Sequence, residues 1–168
     1  MQVWDESDGS IIPELIGKGY QVVLSNTDYV YLDCGNAGSE QAGGYWCQPY
    51  HEWQHIYNYV SDVTDRWALT AEEVSTGILG SETLAWGEMI SAVNLELKVW
   101  PRTAALGEAL WGRTKGKGGS WFAADPRMQQ WVLVLNRRGI RAEPLQPQWC
   151  GQRGAYACTI DAGSPSKH

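Results

Sequence analysis

Two hydrophobic periods alternate along the first part of the chain, and together they predict an α/β fold. The opening residues 1–4 have the pattern of a strand end, and a loop rich in Asp, Ser and Gly follows them. Residues 11–17 then show a short helical pattern, with Pro13 in the first turn, where a missing N–H costs little. Residues 20–24 form an apolar run of the kind found in buried strands. A strand, a helix and a strand with short links indicate parallel α/β architecture.

The same reading predicts a third strand and three further helices. Residues 70–79 are predicted as a helix, because Thr70 and Glu73 have the spacing of a capping box. Residues 80–86 lead into the third strand, and residues 100–110 form a helix that starts beside a proline. Residues 25–60 are predicted to be a long irregular segment, and a segment of this kind in a compact domain is usually functional.

The clearest helical stripe lies near the end of the chain. Asp125 is predicted as its N-cap, Pro126 as its first residue and Gly139 as its stop. The stripe has helical spacing and consists of Met128, Trp131, Val132 and Leu135. This helix is interpreted as a packing element, and Trp100, Trp111 and Trp131 are interpreted as packing residues.

The cysteines form two close pairs, Cys34 with Cys47 and Cys150 with Cys158. Four cysteines allow three disulfide connectivities, and the local pairing closes the shortest loops. No C-x-x-C is present, so neither a zinc ribbon nor a thioredoxin-type site is indicated. Two local disulfides favour an oxidising compartment, and four reduced thiols in a cytosolic protein are the alternative. Residues 1–4 carry no signal-peptide pattern, and a truncated N-terminus would reconcile these observations.

The aromatic composition adds a function class. The 168 residues include 10 Trp and 8 Tyr but 1 Phe. Trp and Tyr join a flat apolar face to a polar group, which suits sugar binding, although tryptophans that simply fill the core are the alternative. The net charge of −6 argues against a nucleic-acid binder and a polybasic membrane arm. No apolar run approaches the roughly 20 residues that a membrane helix needs.

A complete H-E-x-x-H motif occurs at residues 51–55. On a helix, His51 and His55 could bind zinc with Glu52 as a general base. A third ligand is hard to find, because the other histidine is His168 at the tail. We therefore interpret the motif as a structural helix face and predict no metal site, with a zinc peptidase as the alternative.

Aromatic and acidic residues follow each of the three predicted strands. Trp4 follows the first, Tyr31 and Asp33 follow the second, and Trp86 and Glu88 follow the third. In parallel barrels the active-site residues lie at the carboxyl ends of the strands. Indole faces suit the CH faces of a sugar, and carboxylates accept hydrogen bonds from hydroxyls. The joint pattern predicts a sugar site.

At this point the chain resembles the C-terminal part of the catalytic domain of glycoside hydrolase family 20, the β-N-acetylhexosaminidases, and above all its fungal and arthropod chitobiase-type members. The matching stretches run in order along almost the whole chain: QVW at 2–4, IPELIGKGYQVVLSN at 12–26, YLDCG at 31–35, WCQPYHEWQHIY at 46–57, LGSETLAWGE at 79–88, LKVWPRTAALGEALW at 97–111 and RRGIRAEPLQPQWC at 137–150.

The resemblance implies a fold and a domain organisation. The family fold is a (β/α)8 barrel of about 250 residues, so this chain would be its C-terminal portion, about strands six to eight with a C-terminal helix. Residues 1–115 would be the barrel part and residues 116–168 the terminal helix and tail. The resemblance implies a full-length enzyme that is secreted or lysosomal, needs no cofactor and can form a homodimer. A non-catalytic carbohydrate-binding module is the alternative function.

The resemblance also implies residue roles in substrate-assisted retaining hydrolysis. Tyr31 would donate a hydrogen bond to the acetamido carbonyl oxygen of the substrate. The other predicted substrate-binding residues are Trp4 and Trp86 as walls, Asp33 and Glu88 as acceptors for sugar hydroxyls, and Trp46 at the rim. The catalytic Asp–Glu pair and a substrate-gripping Arg would lie on earlier strands. Chitobiase-type members also support the pairings of Cys34 with Cys47 and of Cys150 with Cys158.

Overall fold

The computed structural model describes residues 1–5, 10–35, 47–112 and 120–147. Their centre is a three-stranded parallel sheet in the order β1 (Gln2–Val3), β2 (Val22–Leu24) and β3 (Ile78–Ser81). Val3 pairs with Leu24, and the third strand extends the sheet on the other side of β2. A further parallel bridge joins Tyr31 to Leu84 beyond the ends of β2 and β3. The predicted parallel α/β architecture is therefore confirmed.

Helices connect and cover the strands. In chain order they are α1 (Ile11–Gly17), α2 (Thr27–Val30), α3 (Trp53–Arg66), α4 (Ala71–Gly77), α5 (Leu95–Val99), α6 (Arg102–Gly112) and α7 (Trp121–Arg137). The bounds of α1 agree with the prediction. The capping box of α4 is also confirmed, because the side chain of Thr70 accepts from the Glu73 N–H and that of Glu73 accepts from the Thr70 N–H. In the described ranges no helix has the length and apolar character needed to cross a membrane.

One face of the sheet packs against helices and forms the main core. Val3, Val22 and Leu24 are buried on this face, since alternate side chains of a strand point to the same side. They pack with Ile12 and Ile16 of α1 and with apolar residues of α3. The opposite face carries a polar network instead, in which Gln2 donates to Ser25 and Ser25 donates to Glu82.

Residues 25–60 contain more regular structure than predicted. The prediction of a continuous irregular segment is wrong, because α2 lies within it and α3 begins at Trp53. The side chains of α3 that are buried have helical spacing, but their aromatic character hid that pattern: they are Trp53, Ile56, Tyr57, Tyr59, Val60, Val63 and Thr64. Burial of this face against α6 and the sheet stabilises the helix, whose helical spacing is present in the sequence but did not enter the prediction.

The terminal helix begins earlier than predicted. Its N-cap is Ser120, whose side chain accepts from the Phe122 N–H, so Asp125 lies within the helix and accepts from Gln129 instead. Pro126 is likewise inside α7 rather than at its first position. Met128, Val132 and Leu135 are buried as predicted. The helix predicted at residues 100–110 is shifted as well, since α6 starts at Arg102.

The third strand and two tryptophans also differ from the prediction. β3 spans Ile78–Ser81 rather than residues 80–86, and Leu84 contributes a single bridge. Trp111, interpreted as a packing residue, is 89% exposed, and Trp131 on α7 is also exposed. Trp100 is partly buried against Val132 and its neighbours, which agrees with packing.

Candidate functional site

A cavity of about 360 Å³ lies just beyond the carboxyl ends of the three strands. It is lined by Gln2, Trp4, Tyr31, Leu84 and Trp86. Each strand contributes at least one of these residues, either at its end or shortly after it. The volume falls in the ~300–1,000 Å³ range that is usual for small-molecule sites. The structure therefore brings together three of the residues predicted for sugar binding: Trp4, Tyr31 and Trp86.

The aromatic rings around this cavity are accessible and mutually inclined. The centroids of the Tyr31 and Trp86 rings are 6.2 Å apart, and the ring planes are inclined at 53°. Trp4 is 56% exposed and Trp86 is 49% exposed, whereas Tyr31 is buried. Inclined aromatic faces beside a phenol offer apolar contact and one polar group, which is the combination that a sugar ring needs.

Backbone hydrogen bonds hold these residues in place. The N–H of Leu84 donates to the Val30 carbonyl at 2.9 Å, and the N–H of Leu32 donates to the Leu84 carbonyl at 2.7 Å. These two bonds flank Tyr31 and set it beside the segment that leads to Trp86. On the other side, Thr27 donates to the Trp4 carbonyl from both its N–H and its hydroxyl.

The disulfide between Cys34 and Cys47 lies behind Tyr31, and it confirms one of the two predicted pairings. Both cysteines are buried and pack in one cluster with Tyr31 and Leu84. The Gly35 N–H donates to the Cys47 carbonyl at 3.0 Å, which adds a backbone link across the same loop. The disulfide is thus part of the support of the cavity wall.

Two other predicted site residues, Asp33 and Glu88, are not among the described residues that line the cavity. Asp33 is fully buried, and its charge acts on Lys98 and Arg102. Glu88 is exposed on the turn after Trp86. Trp46, Cys150 and Cys158 lie outside the described residues. The roles assigned to these residues, and the second disulfide pairing, remain predictions.

The sequence reasoning missed Arg102 as a contributor to the site. Its side chain is 1% exposed and donates to the main-chain carbonyls of Leu32, His51 and Lys98. Burial lowers the pKa of Arg102, while Tyr50, Glu143 and Asp33 act to raise it. A cation at the first position of a helix, directly after a proline, is the one sequence signal that could have drawn attention to it, because helix N-termini disfavour positive charge.

The H-E-x-x-H motif does not have the helical geometry that a zinc site requires. His51 and Glu52 precede α3, so the two histidines do not lie on successive turns of one helix. His51 is buried, and the His55 ring stacks on Tyr29 at 4.3 Å with its Nε2 2.9 Å from the Asp28 carbonyl oxygen. Across the described ranges no group of three or more His, Cys, Asp or Glu could hold a metal ion.

We predict that His51 makes the fold sensitive to acid. Burial, assisted by the charges of His55 and Arg102, lowers its pKa from 6.5 to about 4. The unfolded chain therefore takes up this proton first, so the stabilisation is complete above pH 6.5 and is lost as the pH falls towards 4. The loss should be at most roughly 3 kcal/mol, since each unit of pKa shift corresponds to about 1.4 kcal/mol.

Denaturation of the native chain and of His51→Gln across this pH range measures the effect. Relative to His51→Gln, the native chain should lose unfolding free energy as the pH falls from 6.5 towards 4. An NMR titration of the His51 ring provides the direct check. A midpoint near the ordinary value, or a difference that does not vary with pH, would contradict the prediction.

Comparison with known proteins identifies the family of the chain. Residues 1–114 match the family described as glycosyl hydrolase family 20, catalytic domain. The chain is 38% identical over 156 residues to a chitooligosaccharidolytic beta-N-acetylglucosaminidase of Ostrinia furnacalis, covering 93% of this chain and 25% of that relative. It is 34% identical over 174 residues to a probable beta-hexosaminidase of Arthroderma benhamiae, covering 89% of this chain and 27% of that relative.

A solved structure shares the fold. It is the family 20 exo beta-N-acetylglucosaminidase of Vibrio harveyi in complex with N-acetylglucosamine, with a TM-score of 0.56 and 19% sequence identity over 87% of this chain and 22% of that one. The chain thus spans about a quarter of the length of the curated relatives described above. The family match covers more than half of the 168 residues. This chain belongs to glycoside hydrolase family 20.

Proposed function

We propose that this chain forms part of the sugar pocket of a β-N-acetylhexosaminidase, as the last strands, about six to eight, of the catalytic barrel. The observation that carries the proposal is the convergence of Trp4, Tyr31 and Trp86 on one cavity at the carboxyl ends of parallel strands. Family 20 membership and the names of the relatives support the same activity.

Each residue of the cavity has a role in this proposal. Trp4 and Trp86 present exposed indole faces to the sugar ring and its acetamido group. Tyr31 donates from its phenol to the acetamido carbonyl oxygen. Asp33 and Glu88 accept from hydroxyls of the terminal sugar, and Trp46 contacts the rim of the site. Asp33 is buried in the described structure, so its role requires a rearrangement of the residues around it.

The proposed chemistry is substrate-assisted hydrolysis with retention of configuration. The acetamido oxygen attacks the anomeric carbon and the glycosidic bond breaks, while a general-acid Glu protonates the leaving oxygen and an Asp stabilises the acetamido group. The same Glu then takes a proton from a water molecule, which attacks the anomeric carbon and opens the oxazolinium-like intermediate. Both acidic residues come from strands outside these 168 residues. What this chain contributes is orientation, because Tyr31 holds the attacking oxygen close to the anomeric carbon. The chain alone is therefore expected to show no turnover of an aryl N-acetylglucosaminide.

The proposed substrates are chitooligosaccharides or glycans that end in β-linked N-acetylglucosamine. Two observations support this class. The Ostrinia furnacalis relative is named as chitooligosaccharidolytic, and the Vibrio harveyi structure contains N-acetylglucosamine. The buried disulfide between Cys34 and Cys47 supports a secreted or lysosomal location, since such bonds persist in oxidising compartments.

Sugar binding by the chain tests the pocket. Titration with N-acetylglucosamine, followed by NMR, should shift the side-chain signals of Trp4, Tyr31 and Trp86. The substitution Trp86→Ala should weaken binding about tenfold, because loss of an aromatic contact costs about 1.4 kcal/mol.

Trp111→Ala is the matched control, since Trp111 is 89% exposed and does not line the cavity. Its affinity for the sugar should equal that of the native chain. Equal weakening by both substitutions, or no binding by the native chain, would refute the proposed pocket.

A second experiment separates an enzyme from a non-catalytic binding module. The chain is joined to the preceding barrel segment of the Ostrinia furnacalis relative, which it resembles at 38% identity. Hydrolysis of an aryl N-acetylglucosaminide by this chimera, and its loss in the Tyr31→Phe version, is the expected result. A folded chimera that binds the sugar without turnover would favour the module.

A further inference from the structure

A buried guanidinium contacts three separate segments of the chain close to the cavity. Nη2 of Arg102 donates to the Leu32 carbonyl at 2.5 Å, and Nη1 donates to the His51 carbonyl at 3.2 Å. Nε donates to the Lys98 carbonyl at 2.9 Å. The guanidinium carbon lies 4.4 Å from the centroid of the Tyr50 ring, so the cation also has an aromatic surface beside it.

The contact with Leu32 matters because Leu32 separates Tyr31 from Asp33. Its N–H is held by the Leu84 carbonyl at 2.7 Å, and its carbonyl is held by Arg102. Both polar groups of this buried residue are therefore satisfied by distant parts of the chain. With both groups held, the peptides on either side of Leu32 are restrained, and so are the points from which the Tyr31 and Asp33 side chains project.

Arginine suits this place better than lysine. Its planar guanidinium carries donors in several fixed directions, whereas an ammonium group is a single point at the end of a flexible stem. Nearby Asp33 and Glu143 favour the charged form of Arg102. Among the described hydrogen bonds of Arg102, every acceptor is a main-chain carbonyl and none is a carboxylate. Its directional bonds therefore go to the main chain.

We propose that Arg102 is the positioning residue of the cavity: it holds the Leu32 carbonyl so that Tyr31 presents its phenol to the acetamido group of the sugar. The inference rests on the proposed function for the identity of that group. Arg102 does not touch the cavity itself, since it is absent from the residues that line it. It acts through the peptide between Leu32 and Asp33.

The substitution Arg102→Lys tests the proposal, because it keeps the positive charge and removes the guanidinium N–H donors with their fixed directions. The measurement is the ratio of the affinity for N-acetylglucosamine to the affinity for glucose, which lacks the acetamido group. This ratio should fall about tenfold, the equivalent of one lost hydrogen bond of about 1.4 kcal/mol. A purely structural role would lower both affinities equally, and an unchanged ratio would overturn the proposal.

Arg127→Lys is the matched control. Arg127 lies on α7, is largely exposed, and pairs with Glu108 at 2.8 Å. Its replacement should leave both affinities and their ratio unchanged. A fall in the ratio equal to that of Arg102→Lys would also overturn the proposal, since it would show that any loss of an arginine has the effect.

Amide hydrogen exchange tests the same contact without a sugar. In Arg102→Lys the amides of Leu32, Asp33 and Cys34 should exchange about tenfold faster, while that of Val23 in β2 keeps its rate. Unchanged exchange at the three amides, or equal acceleration at Val23, would overturn the proposal. If the native chain binds neither sugar, the proposed function fails and the exchange rates still decide whether Arg102 holds the segment.

A second variant covers the case in which Arg102→Lys does not fold. Tyr50→Leu leaves Arg102 in place and removes the ring beside its guanidinium. The same amides should exchange faster and the affinity ratio should fall, by smaller factors. Rates and a ratio equal to those of the native chain would overturn the proposal.

Discussion

Replacement of Gly35 by alanine is expected to destabilise the fold by about 4 kcal/mol, more than any other single substitution considered for this chain. Two effects add. Gly35 has φ of +77°, a conformation that costs an L-residue about 1–2 kcal/mol. Its added Cβ would also collide with the Cα, Cβ and N atoms of Tyr50, and the backbone cannot move aside as a flexible side chain can.

Gly19→Ala is the matched control for this prediction. Gly19 has φ of +81°, and its added Cβ would meet no atom within 4 Å. It should therefore show the conformational cost alone. Urea denaturation of both variants separates the two effects, and equal losses of unfolding free energy would show that the Tyr50 backbone gives way.

The substitution Gly35→Ala should also disturb the cavity. Gly35 follows Cys34 and donates to the Cys47 carbonyl, so a shifted Gly35 disturbs the disulfide loop that packs behind Tyr31. Tyr50 is also the ring beside Arg102. A folded Gly35→Ala variant should accordingly bind N-acetylglucosamine more weakly than Gly19→Ala does.

Removal of the disulfide is the second large effect. The double substitution Cys34→Ala, Cys47→Ala should lower the unfolding free energy by about 3 kcal/mol. The bond closes a loop with a sequence separation of 13, and its loss lets the unfolded chain sample many more conformations. It also removes two buried side chains from the cluster that supports Tyr31.

Chemical denaturation of the native chain and the double variant measures this loss. Amide exchange around Tyr31 should accelerate in the double variant, while that of Val23 in β2 keeps its native rate. A loss below about 1 kcal/mol would show that the described bond adds little to stability.

Short-range signals account for the elements that were predicted correctly. The helix α1 and the capping box of α4 depend on residues three or four positions apart, and both are confirmed. The first two strands follow from apolar runs on either side of α1, whereas β3 begins two residues before its predicted start. Such signals act within one turn or one strand, so they can be recognised in the sequence without knowledge of distant contacts.

Elements that depend on distant partners were predicted poorly. Most of α3 was missed because residues 25–60 were interpreted as one irregular segment, although the side chains that pack against α6 and the sheet do have helical spacing. The start of α7 was misplaced because Asp125 and Pro126 look like a helix start. Ser120 provides a working cap upstream, and the helix continues through Pro126.

The sequence by itself determined the family, the parallel strands and the residues that follow them, among them Trp4, Tyr31 and Trp86. Only the tertiary structure decided that these three share a cavity, that Asp33 is buried beside it, and that Arg102 holds the peptide between Leu32 and Asp33. The reason is physical: the bridge of Leu84 to Tyr31 and the hydrogen bond from Arg102 to Leu32 join residues 53 and 70 positions apart. Packing of the sheet and helices sets such contacts, and no local period of the sequence encodes them.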